Sequence, residues 1–178
     1  ALFRSPDLLG IGAMADAANR ARHGLRVAFA ANQHINPTNV CILRRTCVFC
    51  SYARLPKEDG AYRYTMEQVW DEAAQRGGLT REFHIVGGLD MQAGLAYYTE
   101  MFRGLKERHP SVHIKALTAV EIAHIARIEK MSVEAVLVAL REAGLDTMPG
   151  GGAEVFSPGV RATIADKKLA GAEWIDVH

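Results

Sequence analysis

Apolar positions along the chain switch repeatedly between two spacings, and that switching predicts an α/β protein. In residues 8–22 the apolar set Leu8, Leu9, Ile11, Met14 and Ala18 keeps a helical period, and His23-Gly24 closes the segment. Residues 27–29 are β-compatible, and residues 34–40 read as a short extended lead-in to Cys41. A loop runs from there to about Gly60, and Thr65 then caps a helix over 66–76. Residues 82–86 read as a strand ending in Gly87-Gly88, 95–108 as a helix stopped by Pro110, 112–117 as a strand and 121–128 as a short helix. Ser132 caps a helix reaching 143, with Glu134 in its first turn and Gly144 at its end. Residues 145–148 read as a strand running into Pro149-Gly150-Gly151-Gly152, and 170–178 begin another helix.

Strand–helix units of about 30 residues imply parallel strands joined by crossover helices. A complete eight-unit barrel needs about 250 residues. Residues 33–178 hold about four units, with 1–32 as an N-terminal helix and lead-in. The expected fold is therefore α/β, either part of a (β/α) barrel or an open parallel sheet, with 1–178 as a single partial domain. The chain starts at Ala1 without an initiator Met and stops within a helical pattern, which reads as a truncated barrel. The cysteines, Gly87-Gly88, Thr118 with Glu121, and residues 150–154 all follow a strand's C-terminal end. In parallel α/β folds that rim is where sites are built.

Composition narrows the function classes. Of 178 residues 49% are hydrophobic and 23% charged, which fits a soluble globular domain with a substantial core. Formal net charge is +1 and the basic residues are scattered, so no electrostatic footprint of a nucleic-acid binder is present. No apolar run is long enough to span a bilayer. A cytoplasmic protein is expected, with neither nucleic-acid nor membrane partners.

The chemistry concentrates at Cys41, Cys47 and Cys50, the chain's three cysteines. Three thiols within ten residues make a poor disulfide framework and point to a metal or to catalysis in a reducing compartment. Three thiolates on one loop can cap one face of a 4Fe-4S cube, leaving the fourth iron free to chelate S-adenosylmethionine. The alternative is zinc, which takes four ligands, with His34 on the incoming strand as the nearest extra donor. Phe49 suits either an adenine ring or plain loop packing. Gly87 and Gly88 either let a ligand approach the backbone or make a tight turn. Three successive glycines at 150–152 cost entropy without adding core, and Glu154 beyond them suits ribose hydroxyls or an amino group. Period-two alternation puts His84 on the face opposite Phe83 and Ile85, as a carboxylate ligand or an ordinary core histidine. Lys115 alternates with His113 in the same way, as an anion ligand or a residue lining one face.

The run His34-Ile35-Asn36-Pro37-Thr38-Asn39-Val40-Cys41, followed by Cys47-Val48-Phe49-Cys50-Ser51-Tyr52-Ala53, resembles radical S-adenosylmethionine enzymes. Gly60-Ala61-Tyr62, His84-Ile85-Val86-Gly87-Gly88-Leu89, residues 115–122, residues 143–146 and residues 149–154 narrow the resemblance to the aminofutalosine synthases of menaquinone biosynthesis. The resemblance implies a TIM-type radical barrel, a 4Fe-4S cluster on Cys41, Cys47 and Cys50, and S-adenosylmethionine against Phe49, Gly87, Gly88 and Glu154. His84, Lys115, Thr118 and Glu121 would line the substrate end. The implied reaction is a transfer in which a 5′-deoxyadenosyl radical adds to the enolpyruvyl double bond of 3-(1-carboxyvinyloxy)benzoate, and rearrangement onto the arene with decarboxylation gives aminofutalosine. A one-electron reductant such as flavodoxin or ferredoxin would serve it. Dehypoxanthine futalosine cyclase and the radical enzymes of deazaflavin synthesis share parts of the pattern, and a truncated non-catalytic metal-binding module is the alternative of another class. Two positions depart from the family. The cysteine spacing is C-x5-C-x2-C instead of C-x3-C-x2-C, and Asp90-Met91 stands where His-Pro is usual.

Overall fold

The computed structural model describes residues 4–178. The chain divides into two compact units, Ala1–Ala30 and Ala31–His178. In the first, helix α1 spans Leu8–His23. The Asp7 carboxylate accepts the Gly10 N–H at 2.8 Å, satisfying one of the donors that a helix start leaves free. Gly24 ends the helix at φ 63°, a conformation glycine adopts without a Cβ clash. The β-compatible residues 27–29 form no strand. Leu25, Val27 and Phe29 are exposed, and a strand without a ladder partner has nothing to hold it.

The second unit is built on a three-stranded parallel sheet in the order β1 (Asn32–Ile35), β2 (Glu82–Ile85), β3 (His113–Ala116). Helix α2 (Met66–Ala74) joins β1 to β2, and α3 (Leu95–Arg108) joins β2 to β3. Alternation decides the two faces of the sheet. Ile35, Phe83, Ile85, Ile114 and Ala116 are buried, and they share one core with Val69, Met101, Phe102, Leu105, Ile122, Ile125 and Leu140 from the helices. Each large apolar side chain so buried contributes about 1.5–3 kcal/mol. The opposite face carries polar residues in register: His34 beside His84 beside Lys115, and Asn32 beside Glu82 beside His113.

After β3 the structure departs from the expected order at several places. Residues 145–148 do not make a fourth strand; one parallel bridge, Lys115 to Thr147, is all that forms. Ala116 N–H donates to Thr147 O and Thr147 N–H to Ile114 O, but at Ile114 N–H the Asp146 carboxylate, which also holds the Lys106 ammonium at 2.7 Å, takes the place of a main-chain carbonyl at 2.7 Å. The short helix expected at 121–128 is longer: α4 runs Ala119–Glu129. Leu117, fully buried at φ 59°, turns the chain from β3 into Thr118, the α4 N-cap. A left-handed leucine costs about 1–2 kcal/mol, so packing must hold it there. Ser132 caps α5 (Val133–Glu142) as expected. Helix α6 (Pro158–Ile164) was not expected, and α7 spans Gly171–Val177.

Candidate functional site

Several segments converge on a cavity of about 230 Å³ at the C-terminal ends of the strands. Cys41, Cys47 and Cys50 line it, all as free thiols, together with Phe49. Gly87 and Gly88 enter from the end of β2, Thr118 and Glu121 from the start of α4, and Gly152 from the glycine-rich loop. Leu43, Leu89, Val120 and Cys47 form a small apolar cluster at its wall.

The cysteine loop shows how the wider spacing is accommodated. Arg44 N–H donates to Cys41 O at 3.1 Å, and Thr46 and Cys47 N–H both donate to Leu43 O at 2.9 Å. The five residues between the first two cysteines thus close into overlapping turns with Leu43 as an apolar plug. Arg44 clamps the turn from outside through Glu58 at 3.1 Å. Cys41 N–H donates to Arg54 O at 2.9 Å and Ile42 N–H to Leu89 O at 3.1 Å, which fixes the loop to its neighbours. Extra loop length is inexpensive in closure entropy, and here it returns Cys47 to the cavity.

The glycine pair has a specific cause. A Cβ on Gly88 would lie 2.1 Å from Val40 O and 3.0 Å from Cys41 Cβ, and one on Gly87 would lie 3.0 Å from Thr38 O. Neither glycine has a positive φ, so close approach of two backbones, rather than a tight turn, requires them. In the later loop, Gly152 needs its φ of 88° and a Cβ there would meet Val120 at 2.6 Å, whereas a Cβ on Gly150 would meet nothing.

Thr118 and Glu121 form a capping box on α4. The Glu121 carboxylate accepts from Thr118 N–H at 2.7 Å, Thr118 Oγ1 at 2.8 Å and, across the cavity wall, Gly87 N–H at 2.9 Å. Burial pushes this carboxyl up in pKa, and the N–H donors of Thr118 and Gly87 act against that. Glu121 therefore ties the glycine pair to the α4 start.

His84 and Lys115 are not among the residues lining the cysteine cavity. They sit side by side on the polar sheet face, where His84 stacks on His34 with ring centroids 4.5 Å apart and Lys115 pairs with Glu82 at 2.6 Å. Burial, then His34, then Lys115 hold the His84 imidazole below its ordinary pKa. Asp90, at a position where the family pattern has histidine, is buried and pairs with Arg63 at 2.6 Å, while its carbonyl meets His124 Nε2 at 3.2 Å.

Two residues at the site gave no signal in the sequence. Lys168 lines the cavity, pairs with Glu154 at 2.6 Å and lies 5.2 Å from the Phe49 ring. Arg161, 6% exposed, donates to the carbonyls of Ala153, Val155 and Leu169 and so binds the segment carrying Glu154 to the one carrying Lys168. Burial pushes the Cys47 thiol up in pKa, and the neighbouring Lys168 ammonium opposes the shift. Among the described residues no group of three or more His, Cys, Asp or Glu side chains is close enough to hold a single metal ion.

No family model matches the chain. Over 179 residues it is 37% identical to aminodeoxyfutalosine synthase of Thermus thermophilus, covering 99% of this chain and 47% of that protein. This chain resembles aminodeoxyfutalosine synthases over nearly its whole length. It is also 41% identical, over 152 residues, to 5-amino-6-(D-ribitylamino)uracil–L-tyrosine 4-hydroxyphenyl transferase of Methanopyrus kandleri, covering 85% of this chain and 41% of that one. The crystal structure of methylornithine synthase (PylB) superposes with a TM-score of 0.69 at 18% identity, covering 96% of this chain and 47% of that one. That likeness establishes the fold as the partial (β/α) barrel expected from the sequence. The chain spans about half the length of the curated relatives it matches. No helix among the described residues is long and apolar enough to cross a membrane.

Proposed function

We propose that this chain carries the cofactor site of a radical S-adenosylmethionine transferase of the aminodeoxyfutalosine synthase type. The observation that carries the reading is the meeting of three free thiols with the Gly87-Gly88 backbone and Gly152 in one cavity. The donor set fits a 4Fe-4S cluster: Cys41, Cys47 and Cys50 line one cavity and would hold the cluster as soft thiolate donors. The apolar wall of Leu43, Leu89 and Val120 suits a buried cluster. When bound, the cluster supplies the electron that cleaves S-adenosylmethionine.

The chain's own residues bind and orient. Phe49, half exposed at the cavity edge, offers a face for an adenine ring. Gly87 N–H is given to Glu121 and Gly88 N–H to Thr38 O, so the Gly87 carbonyl is what the pair offers a polar head group at the cavity wall, and Glu154 accepts from hydroxyl or amino groups. Glu121 and Thr118 hold the two loops at a fixed separation. His84 and Lys115, adjacent on the polar sheet face, receive the carboxylates of 3-(1-carboxyvinyloxy)benzoate. Accurate placement is the protein's main contribution to radical chemistry, together with exclusion of water. The electron comes from a one-electron carrier such as flavodoxin or ferredoxin in a reducing cytoplasm.

The test is product analysis. The reconstituted, reduced chain is incubated with S-adenosylmethionine and 3-(1-carboxyvinyloxy)benzoate, and in parallel with tyrosine and the ribitylaminouracil. The account expects aminodeoxyfutalosine by mass spectrometry in the first mixture and no adduct in the second. An adduct in the second mixture alone would replace this reading with that of the 4-hydroxyphenyl transferase.

A further inference from the structure

We propose that Lys168 is a cation set in the cysteine cavity to raise the reduction potential of the cluster; the inference rests on the cluster reading above. Lys168 is the one basic residue among the described residues lining the cavity. Its side chain is only 13% exposed, and its ammonium, paired with Glu154 at 2.6 Å, lies in the cavity that Cys47 lines and 5.2 Å from the Phe49 ring. A lysine whose sole task was a surface ion pair would contribute about 0–1 kcal/mol and would not need that placement.

The backbone around Lys168 fixes where its charge sits. Lys168 N–H donates to Ala165 O at 3.0 Å, Ala165 is bridged to Cys47, and Val48 N–H donates to Ile164 O at 3.0 Å. The end of α6 is therefore stitched directly onto the cysteine loop. Arg161 holds the Glu154 and Lys168 segments together from behind.

Reduction adds one electron to the cluster without adding a ligand. A fixed positive charge beside a cluster sulfur stabilises the reduced form, and the weakly polar surroundings strengthen the effect. Glu154, 2.6 Å from the ammonium, offsets part of it. The pair therefore acts in opposite senses: loss of the lysine charge lowers the potential, and loss of the glutamate charge raises it.

The experiment is an anaerobic redox titration of the reconstituted full chain without S-adenosylmethionine, followed by EPR of the reduced cluster. Lys168→Met should weaken electron uptake about tenfold, a midpoint about 59 mV lower for a one-electron couple. Glu154→Gln should move the midpoint upward, and Lys168→Arg should stay within about threefold of the parent. An unchanged midpoint in Lys168→Met, with iron and sulfide equal to the parent, overturns the inference. If Lys168→Met takes up no cluster, Lys168→Gln is titrated in its place and read by the same criteria. A parent chain that assembles no cluster fails at the iron analysis, which overturns the functional reading and this inference with it.

Discussion

Replacing Gly88 by alanine probes the join between the glycine pair and the cysteine loop. The added Cβ would lie 2.1 Å from Val40 O, 2.7 Å from Val40 C and 3.0 Å from Cys41 Cβ. Ordinary contact begins near 3.4 Å, so the backbone at residues 40–41 must retreat by more than 1 Å. The two nearest, Val40 O and C, are main-chain atoms, which cannot swing aside as a side chain can. The retreat strains the bonds from Gly88 N–H to Thr38 O, Cys41 N–H to Arg54 O and Ile42 N–H to Leu89 O. Overpacking costs about 1–3 kcal/mol, and each weakened hydrogen bond about 1 kcal/mol more. A loss of about 4–6 kcal/mol is expected, a large share of a domain's usual 5–15. Urea unfolding followed by circular dichroism reads the stability, and iron content after reconstitution reads the displacement of Cys41. Gly87→Ala, with its nearest neighbour at 3.0 Å, should cost about 1 kcal/mol. Gly150→Ala meets nothing within 4 Å and should stay within about 0.5 kcal/mol of the parent. If Gly88→Ala unfolds at the same urea concentration as Gly150→Ala and binds full iron, the close-approach reasoning is wrong.

Three further outcomes follow from the geometry. Arg161→Met strands the carbonyls of Ala153, Val155 and Leu169 and should cost about 3 kcal/mol, with faster proteolysis of residues 153–169 as the local readout. Glu121→Gln places an amide NH₂ against either the Gly87 or the Thr118 N–H, and urea titration should show a loss of about 1–3 kcal/mol. The His84 imidazole should titrate below about 6.5 by NMR, and Lys115→Met should bring it closer to that value. Because the unfolded chain then takes up the proton first, His84 should reduce stability as pH falls below about 6.5, and urea midpoints measured down the pH scale would show it.

Elements with explicit stop and start signals were legible from residue types alone. Thr65, Ser132, Gly24 and Pro110 marked helix ends that the structure places within two residues of the expected positions. The fourth strand failed because Asp146 supplies an acceptor that a period-two pattern cannot anticipate. Helix α6 did carry a signal, Ser157 followed by Pro158 at its first position. The capping box was also written in the chain: Thr118 and Glu121 stand three apart ahead of an apolar run, so their mutual bonding could have been expected. Lys168 was not legible, since it follows the end of α6, which meets a loop more than a hundred residues earlier. Arg161 was not, since its carbonyl partners six to eight residues away are gathered by the turns on either side of α6. The three cysteines needed no structure to be singled out. What the fold adds is that the longer first gap closes on Leu43 and still delivers all three thiols to one cavity.

The central claim is that those thiols hold one 4Fe-4S cluster. It is tested most directly by anaerobic reconstitution of the full chain, with iron and sulfide analysis and EPR of the dithionite-reduced protein. The account predicts about four irons and four sulfides per chain, in keeping with the cluster's composition. It also predicts a reduced-cluster signal that is lost in Cys41→Ala, Cys47→Ala and Cys50→Ala alike. A full signal surviving in any one of the three variants, or stoichiometric zinc in the parent with no sulfide, would contradict it.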